Sequence, residues 1–269
     1  MKHIGKIAAF VLTITVAFAF VPFFGTADAA SKKKVTVVKS MKITFDSNVT
    51  YKDLKKNTIK YNKAGLITKY KDTEGAYTLK YKNNKLSTLT AKMKDPTDNY
   101  KNYYDGLEKL EKKCADGTLI TFDLTASGKK IVKVVENYPG GGSTATYSYN
   151  KKGHIKKSKI AFNDGAAPLK TTHKFDKKGN VVQSDVKNGT EDNSRTFAHI
   201  IYGKNKLPKE IQATFISYTA KTAYTAVYKF KYKKIKVPAK NVKVVKEQQW
   251  KLLNAPSDND IPRGESLVW

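Results

Sequence analysis

Apolar and polar residues alternate along much of this chain. The alternation is clearest near residue 230, where Tyr224, Ala226, Tyr228, Phe230 and Tyr232 are separated by threonine, valine and lysine. Successive side chains of a β-strand point to opposite faces, so these five residues share one face. We expect Tyr224, Tyr228, Phe230 and Tyr232 to form an apolar, aromatic wall packed against a core.

A short phrase recurs in the same chain. Residues 149–158 read YNKKGHIKKS and residues 175–184 read FDKKGNVVQS. A third copy begins at Tyr61, and looser copies begin at Tyr81 and Tyr202. The aromatic ends a strand, Asn or Asp opens a type I turn, and Gly takes the left-handed position of a short hairpin loop. The phrase therefore predicts a repeated β-hairpin.

These patterns predict a mainly β fold. We expect an antiparallel β-meander of repeated hairpins, with about eight to twelve strands in a twisted sheet or an open half-barrel. One or two helices would cover its apolar surface. The second of these would follow Pro238, where Val242, Val245, Trp250, Leu252 and Leu253 lie among polar residues.

The other helix is predicted from about Pro96 to Lys113. Apolar positions recur there at three- and four-residue steps, namely Tyr100, Tyr103, Leu107, Leu110 and Cys114. Asp95 and Pro96 suit the cap and the first helical position. Gly106 would cost about 1 kcal/mol inside a helix, so a break at that point is the alternative.

The ends of the chain differ from its middle. Residues 1–29 have the basic start, the apolar run and the small residues before a cut that are typical of a secretory signal peptide. A retained membrane anchor is the alternative, which Pro22 and Gly25 disfavour. We expect a β-repeat domain at 30–238, and a helix and disordered tail at 239–269. The mature protein would be extracellular or associated with the cell wall.

The charge is strongly positive, at +28, with 51 basic residues. Arg195 and Arg263 are the only arginines among them. Arginine is the side chain preferred for bidentate phosphate and base-edge contacts, so the composition argues against specific nucleic-acid recognition. Cys114 is the single cysteine, which excludes an internal disulfide. We expect it to be a small buried apolar residue rather than a reactive thiol.

No catalytic or metal-binding motif stands out. His154, His173 and His199 lie in or near different predicted strands, and His173 and His199 point to opposite faces of the sheet, so we expect no metal site. We also expect no cofactor and no enzymatic activity. A pair of catalytic carboxylates has no characteristic sequence spacing, so a glycan hydrolase stays open as an alternative.

The repeated phrase resembles the Tyr-Asp repeats of the bacterial Rhs and related secreted β-repeat proteins. The copies at Tyr61, Tyr149 and Phe175 carry the resemblance. It implies a β-meander and transfers no catalytic residues, because the Tyr-Asp repeat has none. The spacing here is uneven, and the chain is far too short for the large shell that those proteins build.

Lysines at the hairpin tips suggest a function. If successive repeats run the same way, adjacent tips lie about 10 Å apart on one edge of the sheet. A positive ridge would then contain Lys63, Lys151, Lys152, Lys177, Lys178, Lys204 and Lys206. We expect a monomeric, non-enzymatic protein of the bacterial cell surface that binds an anionic wall polymer or glycan and does not span the membrane after signal cleavage.

Two alternatives compete with the ridge. Lysines on the outer face and edges of a sheet also keep a protein soluble and block pairing between edges. The aromatic wall could instead line the groove of a curled sheet, which would make the protein a carrier of an apolar or amphiphilic ligand.

Overall fold

The computed structural model describes residues 31–46, 53–73, 75–105, 109–127, 130–189 and 192–255. The predicted signal peptide and the predicted disordered tail beyond Ala255 lie outside these ranges. One sheet of 17 strands dominates the fold. The strands are β1 (Lys32–Phe45), β2 (Leu54–Thr58), β3 (Lys60–Tyr61), β4 (Ile67–Lys71), β5 (Gly75–Lys82), β6 (Lys85–Met93), β7 (Tyr100–Asp105), β8 (Lys109–Cys114), β9 (Leu119–Ser127), β10 (Lys130–Tyr138), β11 (Gly141–Tyr149), β12 (Ile155–Phe162), β13 (Leu169–Phe175), β14 (Val181–Asn188), β15 (Asp192–Tyr202), β16 (Pro208–Ser217) and β17 (Thr222–Pro238).

The sheet curls until its first and last strands meet. From β3 to β17 each strand pairs antiparallel with the next one in the chain. The long strands β1 and β17 pair from Lys32 opposite Pro238 to Phe45 opposite Ala226. On its other side β1 pairs with β2, which only Ile59 separates from β3. The result is a barrel-like sheet.

The predicted mainly β, antiparallel fold is confirmed. Seventeen strands, rather than about eight to twelve, carry the sheet further round than a half-barrel. Because the strands run up and down, the repeated turns all emerge at one end. We call this the helix end; its turns include 62–65, 83–84, 150–153, 176–179 and 203–206. The opposite end is called the far end.

The repeated turns have the predicted geometry. In the turn after β11, the Asn150 side-chain oxygen accepts hydrogen bonds from the backbone N–H groups of Lys152 at 2.9 Å and His154 at 3.0 Å. In the turn after β13, the Asp176 carboxylate accepts from the Asn180 N–H at 2.9 Å. Gly153 and Gly179 are left-handed, with φ of +89° and +90°. The hairpin prediction is confirmed for these two copies.

The helix predicted from Pro96 to Lys113 is wrong. In its described residues the segment contains one 3₁₀ turn at Pro96–Asp98, which Asp95 caps by accepting from the Thr97 N–H, followed by β7 and β8. The cap signal was genuine but serves one turn. Asn102 and Lys112 lie on the inner faces of these strands and are buried. These polar residues interrupt the apolar alternation that would have identified two strands.

The helix predicted after Pro238 is present. It is α1 (Val242–Asn254), and a 3₁₀ turn at Ala239–Asn241 precedes it. Leu252 and Leu253 are buried in the main core, which extends through the interior of the sheet. Val245 joins a smaller cluster with Val35, Val37, Leu66 and Val237. Within the described ranges, no helix combines the length and the apolar character needed to cross a bilayer.

Candidate functional site

The helix α1 lies across the helix end and is held there by polar side chains. Gln249 accepts a hydrogen bond from the Val38 N–H at 2.7 Å, and Asn241, in the 3₁₀ turn just before α1, donates to the Ala64 carbonyl at 3.2 Å. Beside Gln249, the Trp250 indole N–H donates to the Gly179 carbonyl at 2.9 Å. Strand β1 and two of the repeated turns therefore share one helix as a common support.

The structure places every predicted ridge lysine at this helix end, and all of them are exposed. We call the set the tip lysines: Lys63, Lys151, Lys152, Lys177, Lys178, Lys204 and Lys206. Six of them occupy the turns after β11, β13 and β15, which are successive turns at the helix end of the barrel-like sheet. Lys63 lies on the turn between β3 and β4, on the other side of the β1–β17 pair.

Neighbouring turns are in direct contact. The Lys152 ammonium donates to the Lys177 carbonyl at 3.3 Å, which joins the turn after β11 to the turn after β13. The Lys178 ammonium lies 3.0 Å from the centroid of the Tyr202 ring, at the next turn. Cation–π contacts of this kind hold an ammonium group in place without neutralising it. The tip lysines of these three turns thus form a continuous positive surface.

Carboxylates are distributed differently. The far-end turns and their flanks contain Asp46, Asp53, Asp72, Asp95, Asp98, Asp116 and Asp164. Among the described side chains of the helix-end turns and α1, the carboxylates are Asp176 and Glu247. Asp176 accepts from the Asn180 N–H of its own turn and from the Tyr202 hydroxyl at the next turn, so both of its oxygens are hydrogen-bonded. Because the described side chains of this end carry little negative charge, they leave the field of the tip lysines largely uncompensated.

A shallow groove runs along α1 at the same end, with a volume of about 640 Å³. We call it the α1 groove. Its lining consists of Lys33, His154, Ala239, Lys240, Val242, Lys243, Lys246, Glu247 and Trp250. The predicted site contained none of these residues. The three-residue spacing of Lys240, Lys243 and Lys246 is a sequence signal that could have pointed to these lysines, but the positions of Lys33 and His154 beside them follow only from the fold.

The rings of Trp250 and His154 stack in this groove. Their centroids are 3.8 Å apart and their planes are tilted by 14°. Burial, with a smaller effect from the nearby Lys152 ammonium, lowers the pKa of His154 from 6.5 to about 4. The imidazole is therefore neutral at pH 7, and the stacked pair is an uncharged aromatic surface among ammonium groups.

The low pKa of His154 predicts a loss of stability in acid. As pH falls from about 6.5 towards about 4, the unfolded chain takes up a proton that folded His154 does not, so the free energy of unfolding falls through this window. We expect the free energy of unfolding to fall by about 1–2 kcal/mol from this group. This is less than the full pKa difference would give, because the ring is partly solvated. Urea unfolding at pH 7 and pH 4.5 measures it. His154→Phe keeps a ring against Trp250 and should lose less stability than the wild type; equal losses would assign the acid sensitivity to other groups.

The aromatic wall is part of the core. Tyr228 and Phe230 are buried, whereas Tyr224 and Tyr232 are half-buried at either side of them. The Tyr232 hydroxyl donates to the Pro208 carbonyl. The shared face is as predicted, and its middle rings pack against other core side chains, also as predicted. The carrier hypothesis stays a prediction.

The histidines are spread over the sheet. His173 is buried, with its Nδ1 atom 2.9 Å from the Ser184 hydroxyl, whereas His199 is exposed on β15. In the part of the chain that the structure describes, no group of three or more His, Cys, Asp or Glu side chains is placed to hold a metal ion. Cys114 is half-buried at the end of β8.

Comparisons with known proteins add little to this geometry. No protein-family model matches the chain, and no curated protein matches it. Among solved structures, a porin-like protein from Bacteroides uniformis is similar over 73% of this chain and 96% of that chain, with 10% identity and a TM-score of 0.48. A likeness of this degree carries no functional argument.

Proposed function

We propose that this protein is a secreted, non-enzymatic binding protein of the bacterial cell surface that holds an anionic polymer, such as a wall polymer or an acidic glycan, against its helix end. The observation that carries the proposal is the convergence of the tip lysines. Seven exposed lysines from four separate turns lie at one end of the sheet. Among the turn residues that the structure describes, those at the far end hold most of the carboxylates.

The shape of this surface favours a polymer as the ligand. Tips separated by two strands are about 10 Å apart, so three successive turns span about 20 Å, which is more than one small anion covers. A long chain with charges spread along its length can contact several turns at once. Each exposed contact is weak on its own, and the affinity comes from their number. Binding of this kind should weaken as salt screens the charges.

Charge reversal at the tips tests the proposal. The variant carries Lys63→Glu, Lys151→Glu, Lys177→Glu and Lys204→Glu, which are exposed and lie on four different turns. We expect it to lose retention on heparin and on isolated cell walls at low salt, where the wild type is retained. The measurement is the salt concentration at which each protein elutes.

The matched control reverses four exposed lysines towards the far end, namely Lys92, Lys94, Lys113 and Lys170. The two variants have the same net charge, so they differ only in the position of the change. The control should elute close to the wild type. Equal losses from the two variants would mean that only net charge matters, and the lysines would then be explained by solubility and edge protection alone.

A further inference from the structure

The α1 groove differs in chemistry from the tips around it. The tips present ammonium groups on open turns, whereas the groove combines lysines with the stacked Trp250–His154 pair and the apolar side chain of Val242. Five of its nine lining residues are charged, and the aromatic pair, Val242 and Ala239 supply its apolar surface. The volume of about 640 Å³ is sufficient for one or two sugar rings.

We propose that the α1 groove is a sugar-ring subsite that takes one or two carboxylated units of an acidic glycan. This inference rests on the proposed function and narrows it, because it selects acidic glycans over polymers without a sugar ring. The Trp250–His154 pair would contact the apolar C–H face of the sugar. The lysines at the rim would bind its carboxylate.

The aromatic pair is rigidly placed. The Trp250 indole is fixed by its hydrogen bond to the Gly179 carbonyl and by the stack with His154. The His154 backbone is itself fixed by the Asn150 side chain. An aromatic surface that is already in position loses little conformational entropy when a ring packs on it. Two of the repeated turns thus hold this surface ready for a ligand.

The charges of the groove match separated carboxylates better than densely packed phosphates. Lys33, Lys240, Lys243 and Lys246 supply the ammonium groups, but Glu247 lies among them. A carboxylate can accept hydrogen bonds from sugar hydroxyls, which suits a uronic acid. The same carboxylate repels a ligand that presents phosphate at every position. His154, which is neutral at pH 7, adds no positive charge to attract phosphate.

Short ligands test the groove separately from the tips. Trigalacturonate, tripolyphosphate and uncharged maltotriose are titrated by calorimetry and by tryptophan fluorescence, in a Trp269→Phe background that leaves Trp250 as the single tryptophan. We expect trigalacturonate to bind most tightly and to change the Trp250 emission. Lys243→Gln with Lys246→Gln should weaken its binding about tenfold. The control pair Lys92→Gln with Lys94→Gln, towards the far end, should leave it within about twofold. Thermal unfolding confirms that each variant is folded.

Three results would overturn the inference: no binding of trigalacturonate at millimolar concentration, tripolyphosphate binding as tightly with the same emission change, or equal losses from the two lysine pairs. The charge-reversal variant described above, with Glu at four tip lysines, tests the polymer surface separately from the sugar subsite. If tip reversal abolishes polymer retention but trigalacturonate does not bind the wild type, the subsite is wrong and the polymer surface stands. If the polymer is never retained but the trisaccharide binds as expected, the polymer surface is wrong and the subsite stands.

Discussion

Gly65→Ala should lower the free energy of unfolding by about 2–5 kcal/mol. Gly65 is buried in the turn between β3 and β4 with a φ of +84°, where an L-residue costs about 1–2 kcal/mol. A Cβ atom at this position would also overlap with Val237 Cγ1 and lie 3.0 Å from Val245 Cγ2. Relief of that overlap requires β17 or α1 to shift, and overpacking of this kind costs about 1–3 kcal/mol more.

Gly117 supplies the matched control for Gly65. It has a φ of +88°, but a Cβ atom there would meet no heavy atom within 4 Å. Gly117→Ala should therefore show the backbone cost alone, about 1–2 kcal/mol. The measurement is urea unfolding of both variants and the wild type. If the two substitutions cost the same, the close packing of the β3–β4 turn against β17 and α1 is not what constrains Gly65.

Leu252→Ala should cost about 2–5 kcal/mol. Leu252 is 2% exposed and belongs to the main core, so truncation removes buried apolar surface and leaves a cavity between α1 and the sheet. A loss of this size means that α1 unfolds together with the sheet. A helix that is merely appended to the barrel-like sheet would not produce it.

Val244 lies on the same helix and is 36% exposed. Val244→Ala should change the free energy of unfolding by less than about 0.5 kcal/mol, with a small gain from helix propensity. Unfolding is followed both by far-UV circular dichroism and by tryptophan fluorescence. One shared transition for the two signals, lowered in Leu252→Ala alone, is the expected result. Separate transitions would show that α1 folds independently of the sheet.

Local chemistry explains why much of the fold was predictable. The alternation of β17 and the turn phrases at Tyr149 and Phe175 are properties of short segments, and the structure keeps them. The error at Pro96 has an equally local cause. On β7 the inward residues include Tyr100 and Asn102, both buried, while Tyr103 is 39% exposed. With an asparagine inside and a tyrosine outside, the apolar residues of β7 no longer alternate at every second position. They recur instead at three- and four-residue steps, which are typical of a helix.

The candidate site was predictable only in part. The common direction of the hairpins placed the tip lysines at one end, because up-and-down connection leaves no other arrangement. The α1 groove depends on tertiary packing instead. His154 and Trp250 come together because α1 crosses the helix end, and no sequence spacing specifies that crossing. Lys33 reaches the same groove because β1 pairs with β17, which brings distant parts of the chain side by side.

The pairing of β1 with β17 also affects how the chain folds, because this contact can form only late. Lys32 lies opposite Pro238, so β1 cannot pair with the whole of β17 until the chain has been synthesised as far as Pro238. Contacts of such large sequence separation are slow to form, because the chain entropy of closing the loop is lost before they stabilise anything. During that delay one edge of β1 is open to strands of other molecules. The lysines at 32–34, 39 and 42 are exposed and make such pairing unfavourable. They therefore reduce aggregation through β1 before β17 has paired with it.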